Sequence, residues 1–177
     1  MRSVQKSILD AVLQMRPLPQ ALLDVGCGDG SFTRILSSCL PGTAITAVDL
    51  TFPGQMAGFT KIRFAQASVE KLPFDSGSFD VVTASLSMHH WENKKQGISE
   101  IHRVLKTGGQ IIIGDPLLQG WLSNPLLGWL AQKIDRGVFA SPQNLLAYLE
   151  SAGFESARIQ DAPNSLRSLF LVTAIKP

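Results

Sequence analysis

Residues 22–33 read LLDVGCGDGSFT: an apolar run ends in an aspartate, three glycines follow within five positions, and an amphipathic segment begins directly after them. Glycine loses more conformational freedom on folding than any other residue, so three at this spacing mark a place that needs a positive φ or a close backbone approach. A strand, a glycine turn and a helix in immediate succession are the first half of a βαβ unit, which commits the chain to an α/β architecture.

The alternation continues along the chain. Val4, Ile8, Leu9 and Val12 fall at helical spacing within residues 1–16 and are stopped by Pro17 and Pro19, ahead of a short strand at residues 21–25. Phe32, Ile35, Leu36, Cys39 and Leu40 stripe the next helix, which Pro41-Gly42 ends, and residues 44–48 form a strand that closes on Asp49. Residues 62–65, 79–84 and 110–114 read as further strands, with Ile98, Ile101 and Leu105 striping a helix between the last two. Ser141 and Pro142 supply an N-cap and a first-turn proline, Leu145, Leu146 and Leu149 the next stripe, and Gly153 a helix-terminating glycine. Residues 154–160 and 169–175 follow as strands with no crossover helix between them, which predicts an antiparallel pair. The expected fold is a Rossmann-like, doubly wound, mostly parallel seven-stranded sheet ending in an antiparallel hairpin, with residues 1–177 as one domain.

Composition narrows the function. A net charge of +2 over 177 residues, with no run of like charges, leaves no electrostatic footprint for duplex nucleic acid. The two cysteines, Cys27 and Cys39, form neither a disulfide framework nor a metal-ligand cluster and read as free thiols; no metal is expected. Residues 7–15 mix Gln, Ser and Asp into the apolar positions, so the N-terminus has no signal-peptide core and a cytoplasmic location is the expectation.

In a doubly wound sheet ligands bind beyond the carboxyl ends of the strands, where the turn after the first strand lies. A dinucleotide site requires G-x-G-x-x-G, but this turn runs Gly26, Gly28, Gly30 with Ser31 at the place of the third glycine, which weakens a pyrophosphate reading. Asp49 stands where an acid can accept hydrogen bonds from two adjacent ribose hydroxyls, so a nucleoside is still implied.

Four motifs in order resemble the class I S-adenosylmethionine-dependent methyltransferases, and within them the small-molecule branch of quinone-biosynthesis enzymes. They are the glycine loop at residues 22–30, AVDL with Asp49, EKLPFDSGSFDVVTASLSMHHW, and IHRVLKTGGQIIIGD. The resemblance implies S-adenosyl-L-methionine as methyl donor. Gly26, Cys27, Gly28 and Gly30 would pass its methionine portion, Asp24 would hold its ammonium end directly or through water, and Asp49 would take the ribose. Leu50 would flank the adenine, with Val69 and Ser85 completing the donor contacts. An alternative for Asp24 is a carboxylate that only caps the turn. The family commonly places an adenine-binding aspartate where this chain has Ser68, and that serine is either a weaker acceptor for the adenine or an ordinary turn residue.

A sulfonium methyl is already activated, so in-line positioning of the acceptor does much of the work, and a general base is needed only if the acceptor keeps its proton. His89, His90 and Asp115 are the candidates at the strand ends; each histidine also fits a packing role, and His102 reads as structural. The charge-free run at residues 116–131, within a connection at residues 116–140, holds Trp121, Trp129 and six leucines. It is too short and interrupted to cross a bilayer, and it reads as the wall of a pocket for a small apolar acceptor, as ordinary core, or as a membrane-surface or dimer patch. The place that reads Asn/Asp-Pro-Pro-aromatic in amino-methylating nucleic-acid enzymes is SLSMHHW here, which argues against a DNA substrate. A non-catalytic binding protein of the same fold and a nicotinamide-dependent oxidoreductase are the other readings.

Overall fold

The computed structural model describes residues 3–51, 61–116, 141–161 and 169–177. Chain order is α1 (Ser3–Gln14), β1 (Ala21–Val25), α2 (Ser31–Cys39), β2 (Ala44–Asp49), β3 (Ile62–Gln66) and β4 (Phe79–Ser85). A 3-10 turn (Met88–His90), α3 (Lys94–Val104), β5 (Leu105–Pro116), α4 (Pro142–Ser151), β6 (Glu155–Asp161) and β7 (Leu169–Ile175) complete it. The seven strands form one sheet in the order β3-β2-β1-β4-β5-β7-β6. Neighbours from β3 through β5 are parallel, while β7 runs antiparallel to both β5 and β6. The sequence-based fold is thus correct, including the terminal hairpin. The order reverses between β1 and β4, so the turn after β1 sits at the switch point where open α/β sheets bind ligands.

One boundary differs from expectation. Strand β5 starts at Leu105, directly after α3, and not at residue 110. Leu105 pairs with Phe79 and the register shifts before Val81 pairs with Gln110. The shift is absorbed by a tight turn in which Gly108 has φ +77°, and a Cβ on Gly109 would lie 2.8 Å from the Lys106 carbonyl. A glycine pair inside what looks like a loop therefore keeps the strand continuous.

Apolar side chains pack on both faces. Ile8, Leu9 and Val12 of α1 and Phe32 and Leu36 of α2 are buried on one face against Leu22, Ile45, Val81 and Ile112, and Val4 of α1 is fully buried as well. Ile98, Ile101 and Val104 of α3 and Leu145 and Leu149 of α4 are buried on the other against Leu23, Val82, Ile111 and Ile113. Gly114 lets α1 lie down on β5: a Cβ there would overlap Val4 and come within 2.9 Å of the Ile8 Cδ1. Two helix N-termini carry side-chain caps, of which Ser141 was the one expected. Asn93 accepts from the Gln96 amide at 3.0 Å, and Ser141 from the Asn144 amide at 3.2 Å.

A charged pair on α3 pins the chain between β3 and β4. Arg103 donates to the Phe74 and Leu72 carbonyls at 2.7 and 3.0 Å, and Glu100 accepts from the Leu72 amide at 2.9 Å while bonding Arg103. The LPF turn is thereby held by its backbone, which fixes the approach of residues 68–70 to the open end of the sheet.

Candidate active site

The three glycines of the first turn all have positive φ, at +69° for Gly26, +55° for Gly28 and +75° for Gly30, but their surroundings differ. A Cβ on Gly26 would overlap the Ser87 side chain, its Oγ lying 2.6 Å away, and that hydroxyl is itself fixed by donating to the Val25 carbonyl at 3.0 Å. A Cβ on Gly30 would touch the Phe64 ring at 3.3 Å. At Gly28 nothing lies within 4 Å. The crowding at Gly26 and Gly30 thus comes from the protein's own side chains, and only Gly28 has open space before it.

That space is a cleft of about 470 Å³, inside the range of small-molecule sites. Val25, Gly26 and Gly28 from the first turn, Val48 to Thr51 from the end of β2, Ala67 to Glu70 after β3, and Leu86, Ser87, His90, Trp91 and Glu92 after β4 line it. Of the residues named from sequence, Gly26, Gly28, Asp49, Leu50, Ser68, Val69 and His90 meet here.

Asp49 closes one end. Its Oδ2 accepts from the Gly28 amide at 2.8 Å, and its Oδ1 accepts from the Thr51 amide and hydroxyl, each at 3.0 Å. A carboxylate offers about four acceptor positions, so capacity for a ligand hydroxyl is left over. Beside it Leu50 is 63% exposed, with its carbonyl held by the Gln66 amide group at 2.9 Å. The Ala67 amide donates to the Asp49 carbonyl at 2.9 Å and brings Ser68 alongside. The Ser68 hydroxyl accepts from the Glu70 amide at 3.1 Å and bonds the Glu70 carboxylate, whose other oxygen takes the Asn93 amide at 3.2 Å. Ser68 is thus a turn serine that also lines the cleft.

The remaining candidates lie outside the cleft wall. Asp24 is 1% exposed beneath the glycine turn, accepting from Thr33 of α2 at 2.6 Å and Thr83 of β4 at 2.9 Å. Burial pushes its carboxyl up to about 6, against the pull of the two hydroxyls. Cys27 is half-buried, and burial followed by the nearby Asp24 and Asp49 charges pushes its thiol up to about 12. The Ser85 hydroxyl is buried with no hydrogen-bond partner in the structure. Asp115 is fully buried, its carboxylate accepting from the His89 ring at 2.5 Å and from the His89 amide at 3.1 Å. Trp121, Trp129 and the rest of the apolar connection at residues 117–140 lie outside the described residues.

Because the folded state holds Asp24 with a raised pKa, its contribution to stability is full below about 3.8 and is lost as pH rises through about 6. Asp24→Asn cannot ionise, so the melting temperature of the natural chain falls by a few degrees relative to this variant between pH 4 and pH 7. Thermal melts of both proteins at each pH check it; a constant gap would mean that Asp24 titrates normally.

Sequence reasoning missed Ser87, Glu70, Thr51 and Trp91. For Trp91 a signal was available: Gly97 sits inside α3, where glycine costs about 1 kcal/mol against alanine. The reason is that its Cβ would press on the Trp91 ring at 3.0 Å and on Val69 at 3.1 Å.

Whether this site suits a sulfonium nucleoside can be judged from its donor set. Asp49, Glu70 and Glu92 line the cleft, and no Lys or Arg does so among the described residues. Such a wall matches a cation and offers nothing to neutralise a pyrophosphate. The open backbone at Gly28 fits a polar ligand passing the turn.

A mostly parallel seven-stranded sheet with an antiparallel terminal hairpin and a glycine-turn cleft at its switch point defines a Rossmann-like methyltransferase fold. The methyltransferase domain family matches residues 23–113, just over half of the 177, and the chain belongs to that family. A demethylmenaquinone methyltransferase from Chlorobaculum tepidum is 37% identical over 101 residues. That match spans 55% of this chain but only 41% of the relative, so what this chain shares with that enzyme covers about two fifths of the enzyme's length. Among solved structures, the YcgJ protein of Bacillus subtilis superposes with a TM-score of 0.76 at 18% identity, covering 98% of this chain and 97% of that one. A phosphoethanolamine N-methyltransferase of Haemonchus contortus, solved with S-adenosylhomocysteine and phosphomonomethylethanolamine, gives 0.80 at 18% identity over 98% of this chain and 52% of that one. At such identities the likeness is one of fold. Among the described residues, no helix is long and apolar enough to cross a membrane.

Proposed function

We propose that this chain transfers the methyl group of S-adenosylmethionine to a small apolar acceptor, with quinone-type rings as the first class to test. The observation that carries the donor assignment is the cleft itself: an uncrowded glycine turn at Gly28, tied by its amide to Asp49, in a wall with carboxylates and no described cation. The bound donor supplies a methyl group already activated on positive sulfur. The chain's contribution is then placement. Asp49 accepts from the ribose, exposed Leu50 covers one face of the base, and the carboxylate side of the wall favours a positively charged ligand. The apolar acceptor rests on the demethylmenaquinone methyltransferase relative, on Leu86, Trp91 and Val69 in the wall, and on the charge-free run at residues 116–131.

Equilibrium binding of S-adenosylmethionine against NADH tests the donor. Transfer of a labelled methyl group to a reduced demethylnaphthoquinone tests the acceptor. Binding of NADH but not S-adenosylmethionine would overturn the reading; donor binding without transfer to the quinol would leave the donor and remove this acceptor.

The Ser68 turn yields a prediction of its own. An aspartate at this position would meet the Glu70 carboxylate, and two close like charges cannot both ionise freely. Ser68→Asp therefore leaves S-adenosylhomocysteine affinity unimproved, whereas Ser68→Asp with Glu70→Gln improves it by roughly tenfold through one charge-assisted bond to the adenine amine. Calorimetry on the single and double variants checks this, and equal affinities for both and the natural chain would restrict Ser68 to its turn.

A further inference from the structure

We propose that Asp115 and His89 are positioning residues, a buried brace that sets the ring of His90 in the wall of the cleft. The proposal deepens the methyl-transfer reading and rests on it only for what that wall faces.

The 3-10 turn at Met88–His90 is three residues long, and its preceding residue, Ser87, gives it no side-chain cap. A turn this short satisfies few of its own amides and has no intrinsic persistence. One carboxylate compensates. Asp115, at the end of the neighbouring strand β5, takes the His89 amide on one oxygen at 3.1 Å and the His89 Nδ1 on the other at 2.5 Å. With the His89 amide on one oxygen and Nδ1 against the other, neither the turn nor the His89 ring can rotate without losing a bond.

The periodicity does the rest. With about three residues per 3-10 turn, consecutive side chains point roughly 120° apart. His89 turned inward, at 5% exposure, therefore sends His90 outward, where it is exposed and lines the cleft. The two rings touch, with centroids 4.0 Å apart and planes tilted by 44°, so the immobilised His89 ring is a floor against which His90 rests. Among the described residues, charged groups near the brace include Lys94, whose Nζ is held by the Trp91 carbonyl at 3.0 Å and feels the Asp115 and Glu70 charges, Glu70 itself, and Glu92 in the same wall as His90. Of the three side chains that sequence marked for acid-base work, one reaches the cleft. That one is His90, and a ring already ordered is placed in the wall without a further entropy cost.

The test uses the full chain with carbon-13-labelled histidine rings, His90→Gln serving to assign the signal. In the natural chain the His90 ring signal is displaced from its free-imidazole position by the adjoining ring. Asp115→Asn cannot accept both His89 N–H groups, and most of that displacement is lost. His89→Gln retains an amide donor to Asp115 but no ring, so it folds and gives the same loss, which covers failure of the first variant. Thr83→Val, which loosens the sheet beneath the first turn through Asp24, lowers the melting temperature but leaves the His90 signal in place. A folded Asp115→Asn or His89→Gln protein with an unchanged His90 signal overturns the proposal. So does S-adenosylhomocysteine moving the His89 signal as far as that of His90. Absence of S-adenosylhomocysteine binding to the natural chain, read by calorimetry, counts against the donor reading and leaves the comparison of variants intact.

Discussion

Asp49→Ala binds S-adenosylhomocysteine roughly a hundredfold more weakly than the natural chain, because two kinds of contact disappear together. One is a charge-assisted bond to a ribose hydroxyl, a class that contributes about 1.5–3 kcal/mol. The other is internal. The same carboxylate holds the Gly28 amide at 2.8 Å and both Thr51 donors at 3.0 Å, so its removal frees the glycine turn and the chain after β2. Asp49 lies at a strand end and is only partly buried, so the melting temperature changes little. Calorimetric titration beside a thermal melt decides the matter: a folded variant with unchanged affinity removes Asp49 from the site.

Gly26→Ala has the largest effect on the fold. Its new methyl group overlaps the Ser87 side chain at a backbone φ of +69°. Overpacking costs about 1–3 kcal/mol and the left-handed conformation about 1–2 more for a residue with a Cβ. In a chain of this length the sum lowers the melting temperature by roughly 5–15 °C. Adding Ser87→Gly removes the overlap but not the backbone strain, so the double variant regains part of the loss, and the size of that recovery measures the contact. A Gly26→Ala protein that melts with the natural chain would show that the turn relaxes at no cost.

The two predictions divide the glycine loop between packing and function, a division that sequence could not make. GxGxG announces that side chains are excluded at three positions but not what excludes them. Gly26 and Gly30 are excluded by Ser87 and Phe64, residues 61 and 34 positions further along the chain, and only the parallel pairing of β1 with β4 and β2 with β3 brings those neighbours in. Asp24 shows the same limit. Its place in the motif suggests a ligand contact, yet 1% exposure and two threonine partners make it a tie between β1, α2 and β4. His89 and His90 are equivalent by sequence, adjacent and identical, and differ because a fully buried carboxylate from another strand captures one of them.

What sequence alone determined is whatever repeats with a local period or is punctuated locally. The helices follow from apolar spacing of three and four. Nearly every strand follows from a short apolar run bounded by glycine, proline or aspartate, and the antiparallel end of the sheet from two strands with no room for a crossover. These features depend on a few neighbouring residues, whose conformational preferences and burial pattern are written into consecutive positions. Tertiary structure alone decided what crowds each glycine of the first turn, that Ser87, Glu70 and Trp91 line the cleft, that β5 begins five residues early around Gly108 and Gly109, and which histidine turns outward. Each of these depends on atoms brought together across strands, where distance in space bears no relation to distance along the chain.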